Sequence, residues 1–346
     1  MEKKLSMAEQ AQKEFEDFCN WVDDNFLDSG ENFIKKELKR DFFPVKIDNS
    51  YDVGHGHVLS VKIVIPSFCQ ANCPFCFNKQ TADTQVHDFN KFFENLEDSL
   101  DDVFHNIFNR RISIDITGNE PTFDIDNFKR LMNILRKYKD TNSWQIDKIV
   151  LTTNGYQLNQ CIEYMIGIVD IVNISVHHYE YSTRIKDIFR TTKIPSNDEL
   201  KYLNTKLHEN GIKTTCIGVI YKPFEDNLDY VIYVMKFADF ALSHGFENTR
   251  IRLDFTDATG EMEKIFKYEF KNEIVQEQAG LSTKILKRRD FDIKIYKGVK
   301  DLIDYVIGVE MVVDDDGKLY LDYNKRFPLK DREYWRDFNY NIYVLK

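Results

Sequence analysis

The sequence predicts an α/β fold: a partial (β/α)6, TIM-like barrel at 58–260, with an N-terminal helical extension at 1–57 and a small C-terminal α+β extension with a β-hairpin at 261–346. Three observations lead there. Strand-like apolar runs alternate with amphipathic helical stretches six times, the pattern of a parallel sheet. The strands are near-continuously apolar, as in Ile168–Val176, so both faces of the sheet are buried. Six units fall short of the eight that close a barrel, so the sheet is expected to stay open.

The elements follow in order. Ala8, Ala11, Phe15, Phe18, Cys19, Val22 and Phe26 recur at helical spacing, so residues 8–40 are expected to be helical and Pro44–Gly56 a connecting loop. Val58–Pro66 begins the strands with Val61, Ile63, Val64 and Ile65. A helix is expected at 88–109, a strand at Ile112–Ile116 and a helix at Asp124–Lys139, whose Phe128, Leu131, Leu135 and Tyr138 share one face. Strands are expected at Ile149–Thr152, Ile168–Val176, Lys213–Ile220 and Arg250–Phe255, and helices at Asp198–Asn210 and Asp226–His244, stopped by Gly211 and Gly245. Beyond 260 a helix is expected at Glu261–Gln278. Val309–Val313 and Lys318–Tyr323 flank the turn Asp314–Gly317 as a hairpin.

Composition narrows the function. The formal net charge is −10, and no segment forms a basic arm, which argues against extended nucleic-acid binding. No run of about 18 apolar residues exists, so no membrane-spanning helix is expected. The N-terminus lacks an apolar secretory stretch, and a cytoplasmic location is expected. Such a compartment keeps thiols reduced. Yet three of the six cysteines, Cys69, Cys73 and Cys76, crowd into Cys69-Gln70-Ala71-Asn72-Cys73-Pro74-Phe75-Cys76.

The spacing C-x3-C-x2-C suits metal binding. Thiolates are the usual ligands of iron–sulfur clusters, and a complete cubane takes four. Three leave one iron open to a further ligand. The competing readings are a zinc site completed by another donor and three cysteines packed as small hydrophobes.

With Phe75 just before its third cysteine, and placed after the first strand, this motif resembles that of the radical S-adenosylmethionine (SAM) superfamily. The resemblance spans about 59–260. It implies one 4Fe–4S cluster held by Cys69, Cys73 and Cys76, with SAM on the open iron and Phe75 packed near the adenine. Gly118-Asn119-Glu120-Pro121 resembles the family's Gly-Gly-Glu-Pro segment, which binds the SAM amino group, with Asn119 in place of the second glycine. A strand-end carboxylate and carbonyls suit an ammonium. Thr152-Thr153-Asn154-Gly155 resembles the family's Thr-Asn-Gly segment and is otherwise an Asn-Gly turn; Thr153 and Asn154 are expected at the cofactor. Ser175 matches a family position where a hydroxyl meets SAM.

Two further residues are expected at the chemistry. Extended backbone would put His177 on the same strand face as Ser175, and His178 on the other. Arg252, on the sixth strand, could hold a carboxylate bidentately or pair with Asp254. The resemblance implies reduction by a flavodoxin- or ferredoxin-like donor, then a 5′-deoxyadenosyl radical that abstracts hydrogen from substrate. No cysteine follows Cys216, so no C-terminal auxiliary cluster is expected. The expected substrate is a small molecule or nucleotide. A peptide substrate is the first alternative, and a non-catalytic metal- or cluster-binding regulator the second.

Overall fold

A computed structural model describes residues 58–76, 88–108, 110–222, 224, 227–253, 274–278, 281–288, 291–298, 306–307, 310–320 and 343–344. The expected helix at 8–40, the loop Pro44–Gly56, residue Asp254 and the 261–273 part of the expected Glu261–Gln278 helix lie outside the described residues.

The architecture is a mixed α/β partial barrel whose sheet does not close. β1 (Leu59–Ile65), β2 (Ile112–Gly118), β3 (Ile146–Thr153), β4 (Ile171–Ser175), β5 (Lys213–Ile220) and β6 (Asn248–Leu253) lie side by side in chain order, each parallel to the next. In β1 the buried residues alternate, Leu59, Val61, Ile63 and Ile65, as the two-residue strand period requires. The helices α1 (Phe89–Asn106), α2 (Ile125–Thr141), α3 (Leu158–Met165), α4 (Asn197–Glu209) and α5 (Asn227–Ser243) connect the strands. Their ends follow local chemistry. Asp88 and Asp124 cap α1 and α2 by accepting from backbone N–H groups, and Ser196 with Glu199 forms a capping box on α4.

Parallel register brings the C-terminal strand ends to one rim. Ile65 lies opposite Gly118, Thr153 opposite Ile174, Ser175 opposite Ile217 and Val219 opposite Arg252. Gly118 has φ +124°, and a Cβ there would come within 2.7 Å of the Ile65 carbonyl oxygen. Only glycine lets β2 end that close to β1.

The C-terminal region departs from expectation. Ile274–Gln278 is strand β7 rather than the end of a helix, and it pairs antiparallel with β8 (Leu281–Arg288). β8 pairs antiparallel with β9 (Phe291–Gly298), which lies parallel to β6. The cause is strand pairing: β7 adds to β8, which adds to β9. Phe291, Ile293 and Ile295 are buried on one face of β9, and sheet pairing overrides local helical tendency. A two-stranded piece, β10 (Val306–Ile307) with β13 (Tyr343–Val344), stands apart from the main sheet.

The expected hairpin is present as β11 (Glu310–Val313) and β12 (Leu319–Tyr320). It extends the opposite edge, with β11 parallel to β1. Its turn docks on α1 through Ser99 donating to the Gly317 carbonyl at 2.8 Å and Asn95 donating to the Asp316 carbonyl at 2.8 Å. The loop after β4 also holds more order than expected. A helical turn at Tyr181–Thr183 runs into a π-helical turn at Arg184–Ile188.

Candidate active site at the strand ends

The cysteine loop leaves β1 at the rim. Cys69, Cys73 and Cys76 are all half-buried, and none of them forms a disulfide. The loop is held from outside by the segment after β4: the Asn72 N–H donates to the Phe189 carbonyl at 2.7 Å. Ala71 and Phe75 are buried against Ile188, Phe189, Ile194 and Val219, with Cys69 and Cys73 packed alongside. Phe75 touches the His177 ring edge-on at 4.9 Å between centroids and the Tyr221 ring at 5.0 Å.

The ends of β2 and β3 are joined through one carboxylate. Glu120 is fully buried. It accepts from the Thr122 N–H at 3.1 Å, the Thr122 hydroxyl at 2.7 Å, the Thr153 hydroxyl at 2.5 Å and the Asn154 N–H at 2.7 Å. Burial pushes its pKa up, and those four donors pull the other way. With its oxygens so engaged, the carboxylate ties two motifs together.

Asn119, the departure from the double-glycine pattern, has its own role. Its side-chain amide donates to the Ser67 carbonyl at 2.7 Å, while the Ser67 hydroxyl donates to the Glu120 carbonyl at 2.7 Å. These two bonds fasten the segment to the chain just ahead of Cys69. Pro121 is buried beside them. Asn154 reaches the cysteine loop directly, pairing with Gln70. Gly155 follows with φ +86° and Pro195 against it, leaving no room for a Cβ.

The ends of β4 to β6 have a different character. Ser175 is half-buried at the tip of β4. His177 is buried, but it does not continue the strand. Its φ is +63°, in the left-handed region uncommon outside glycine, so the expectation from extended alternation does not describe how it turns inward. Its backbone is fixed by its N–H donating to the Ile217 carbonyl at 3.0 Å and its carbonyl accepting from the Tyr233 hydroxyl at 2.6 Å. Its ring lies between Phe75 and Phe189, and its Nδ1 is buried without a hydrogen-bond partner. Burial, and secondarily the nearby positive charge of Arg252, lower its pKa to about 3, so it is neutral at physiological pH. His178 turns to its own loop, where its Nδ1 accepts from the Glu180 N–H at 3.0 Å.

The donor chemistry fits an iron–sulfur cluster. Three thiols sit on one buttressed loop. Among the described residues no three His, Cys, Asp or Glu side chains enclose a single ion. A cubane does not require that, since each thiolate meets a different iron. Cys161 and Cys216 are fully buried in the core and their thiols are pushed up, Cys161 to about 12. They behave as small hydrophobes.

The sequence profile described as the Radical SAM superfamily matches residues 63–238, just over half of the chain, and the chain belongs to that superfamily. It is therefore an enzyme class member that works with a 4Fe–4S cluster and SAM. Among solved structures, anSMEcpe with bound AdoMet (SAM) and Kp18Cys peptide is similar at 14% identity and a TM-score of 0.52, over 82% of this chain and 81% of that one. Streptococcus suis SuiB bound to SAM is 19% identical over 60% of this chain, with a TM-score of 0.44. TsrM from Kitasatospora setae, with cobalamin and a [4Fe-4S] cluster, is 14% identical over 62% of this chain, with a TM-score of 0.42. This chain covers 43% of SuiB and 40% of TsrM. No curated protein matches the chain.

Several residues of the site carry no motif. Gln70 lies between two cysteines, Thr122 just past Pro121, Phe189 and Tyr221 in connecting segments, and Tyr233 inside α5. No helix among the described residues is long and apolar enough to cross a membrane.

Proposed function

We propose that Cys69, Cys73 and Cys76 hold a single 4Fe–4S cluster, and that SAM lies across the ends of β1 to β4. In this reading Gly118, Asn119, Glu120 and Pro121 serve its amino group, Thr153, Asn154 and Ser175 its polar edges, and Phe75 its adenine. Bound and reduced there, the pair would supply radical chemistry, a hydrogen abstraction from substrate. The observation that carries the reading is the single hydrogen-bonded network joining the cysteine loop to both flanking motifs, through Gln70–Asn154, Asn154–Glu120 and Asn119–Ser67.

The chain's own residues then have distinct duties. The carboxylate of Glu120 orders the segment, so backbone carbonyls are left to meet an ammonium. Phe75, Phe189 and Tyr221 exclude water from the rim. His177, neutral, can donate or accept a hydrogen bond but carries no charge, and Arg252 supplies the positive charge beside it. Such a pair suits a small molecule or nucleotide with an anionic group. The electron donor is flavodoxin- or ferredoxin-like, and the location cytoplasmic.

A peptide substrate is the second reading. It is favoured by the likeness to anSMEcpe with its bound peptide, which extends over most of both chains. The experiment is anaerobic turnover with deuterated substrate pools and mass analysis of 5′-deoxyadenosine. Deuterium arriving from small molecules or nucleotides supports the first reading; deuterium arriving only from peptides replaces it with the second.

A further inference from the structure

The proposed cluster loop contains a polar contact that neither cysteine spacing nor SAM binding requires. The Asn154 side-chain nitrogen lies 3.7 Å from the Cys69 sulfur. Which end of an amide faces a neighbour is decided by its other partners, and here two backbone groups decide it. The Tyr156 N–H donates to Asn154 Oδ1 at 3.0 Å, so Oδ1 is committed and the nitrogen must point the opposite way. Gln70 is oriented in the same manner: its Nε2 donates to the Lys193 carbonyl at 2.9 Å and to Asn154 Oδ1 at 2.9 Å. The Gln70 oxygen therefore faces Asn154 Nδ2, at 3.5 Å. The two amides form a head-to-tail pair, anchored at one end on Tyr156 and at the other on Lys193. Its remaining donor is aimed at the sulfur.

We infer that Asn154 is a positioning residue for the cluster: its amide donates to the Cys69 sulfur and raises the potential at which the cluster accepts an electron. This rests on the proposed ligation by Cys69. A thiolate is a stronger acceptor than the thiol or the neutral Gln70 oxygen. One-electron reduction adds negative charge to the cluster and its sulfur ligands. An N–H aimed at such a sulfur stabilises the reduced form more than the oxidised one, and hydrogen bonds to the sulfurs are among the features that set such potentials. The protein's difficulty is to make a low-potential cluster reducible, and this amide acts in that direction. Gln70 serves it indirectly, by holding Asn154 in place from a position inside the cysteine motif itself.

The test is an anaerobic redox titration of the reconstituted full chain, with dithionite as reductant, followed by EPR in the absence of SAM. Asn154→Leu removes the donor. At a fixed potential, its ratio of reduced to oxidised cluster is expected to fall about tenfold, which for a one-electron couple is about 59 mV downward. Asn154→Asp keeps the acceptor for the Tyr156 N–H and replaces the donor with an anion; its shift is expected in the same direction and larger. Gln70→Met leaves the Tyr156 anchor and is expected to shift less than Asn154→Leu. A wild-type potential in both Asn154 variants, at wild-type iron content, overturns the inference. So does loss of the cluster from both, because the assigned role is to tune the cluster and not to hold it. Failure of the ligation itself has a different signature: Cys69→Ala would keep its cluster.

Discussion

The two halves of the rim are built on different physics. At the ends of β1 to β3 the site is a closed polar network, in which Asn119, Glu120, Thr122, Thr153, Asn154 and Gln70 bond chiefly to one another and to backbone. At the ends of β4 to β6 it is aromatic packing around one neutral imidazole, with Phe189 and Tyr233 about His177, and Phe75 of the cysteine loop bridging from His177 to Tyr221. Hydrogen bonds fix atoms at set distances, which suits a cofactor that is always the same. Packing tolerates changes of shape, which suits the side that must fit a particular substrate.

This contrast can be broken most severely on the polar side. Cys73→Ala is expected to reduce bound iron and sulfide to background, together with all SAM cleavage; metal analysis of the anaerobically reconstituted protein checks it. Glu120→Ala removes the acceptor of four buried donors; the Thr122 hydroxyl keeps the Tyr156 carbonyl, and the other three are stranded. Each stranded donor costs about 1–3 kcal/mol, together a large share of a typical stability of about 5–15 kcal/mol. Urea unfolding should show a much lower midpoint. Glu120→Gln should fall between it and wild type, because the amide oxygen still accepts.

The aromatic side should respond to pH. His177 has an ordinary value of 6.5 and a folded value of about 3. The unfolded chain therefore binds the proton more readily, and stability falls as pH drops from 6.5 toward 3. Substituting His177→Phe should flatten that part of the stability–pH curve, read as urea midpoints across the range. An unchanged slope would detach His177 from its assigned burial.

The smallest effect tests the Asn119 departure. Asn119→Gly restores the double-glycine pattern but removes the bond to the Ser67 carbonyl. A loss of about 1 kcal/mol is expected, with the affinity for SAM reduced and not abolished, as equilibrium binding would show. Tighter SAM binding in the variant would make Asn119 an obstacle and not a fastening.

The same contrast explains what could be read in advance. The six strands and their helices were legible because continuous apolar runs and caps such as Asp124 and Ser196 are local signals. The polar half of the candidate site can be proposed from the sequence because its glycines and acid form motif-like segments at strand ends. Its couplings were not: nothing local says that Glu120 is consumed by Thr153 and Asn154, or that Asn119 binds Ser67 from 52 positions away. His177 turned inward through a left-handed backbone, which period-two alternation cannot express. β7, β8 and β9 depend on pairing with β6, a long-range contact, although the alternation of Phe291, Ile293 and Ile295 was there to be seen. The hairpin is marked by its Asp314–Gly317 turn, while its parallel pairing with β1 leaves no local pattern.

If the three thiols and the joined strand ends form one SAM-cleaving centre, anaerobic incubation with SAM and dithionite should yield 5′-deoxyadenosine from the wild type and none above background from Cys73→Ala. Equal product from both would show that the thiols do not serve SAM cleavage.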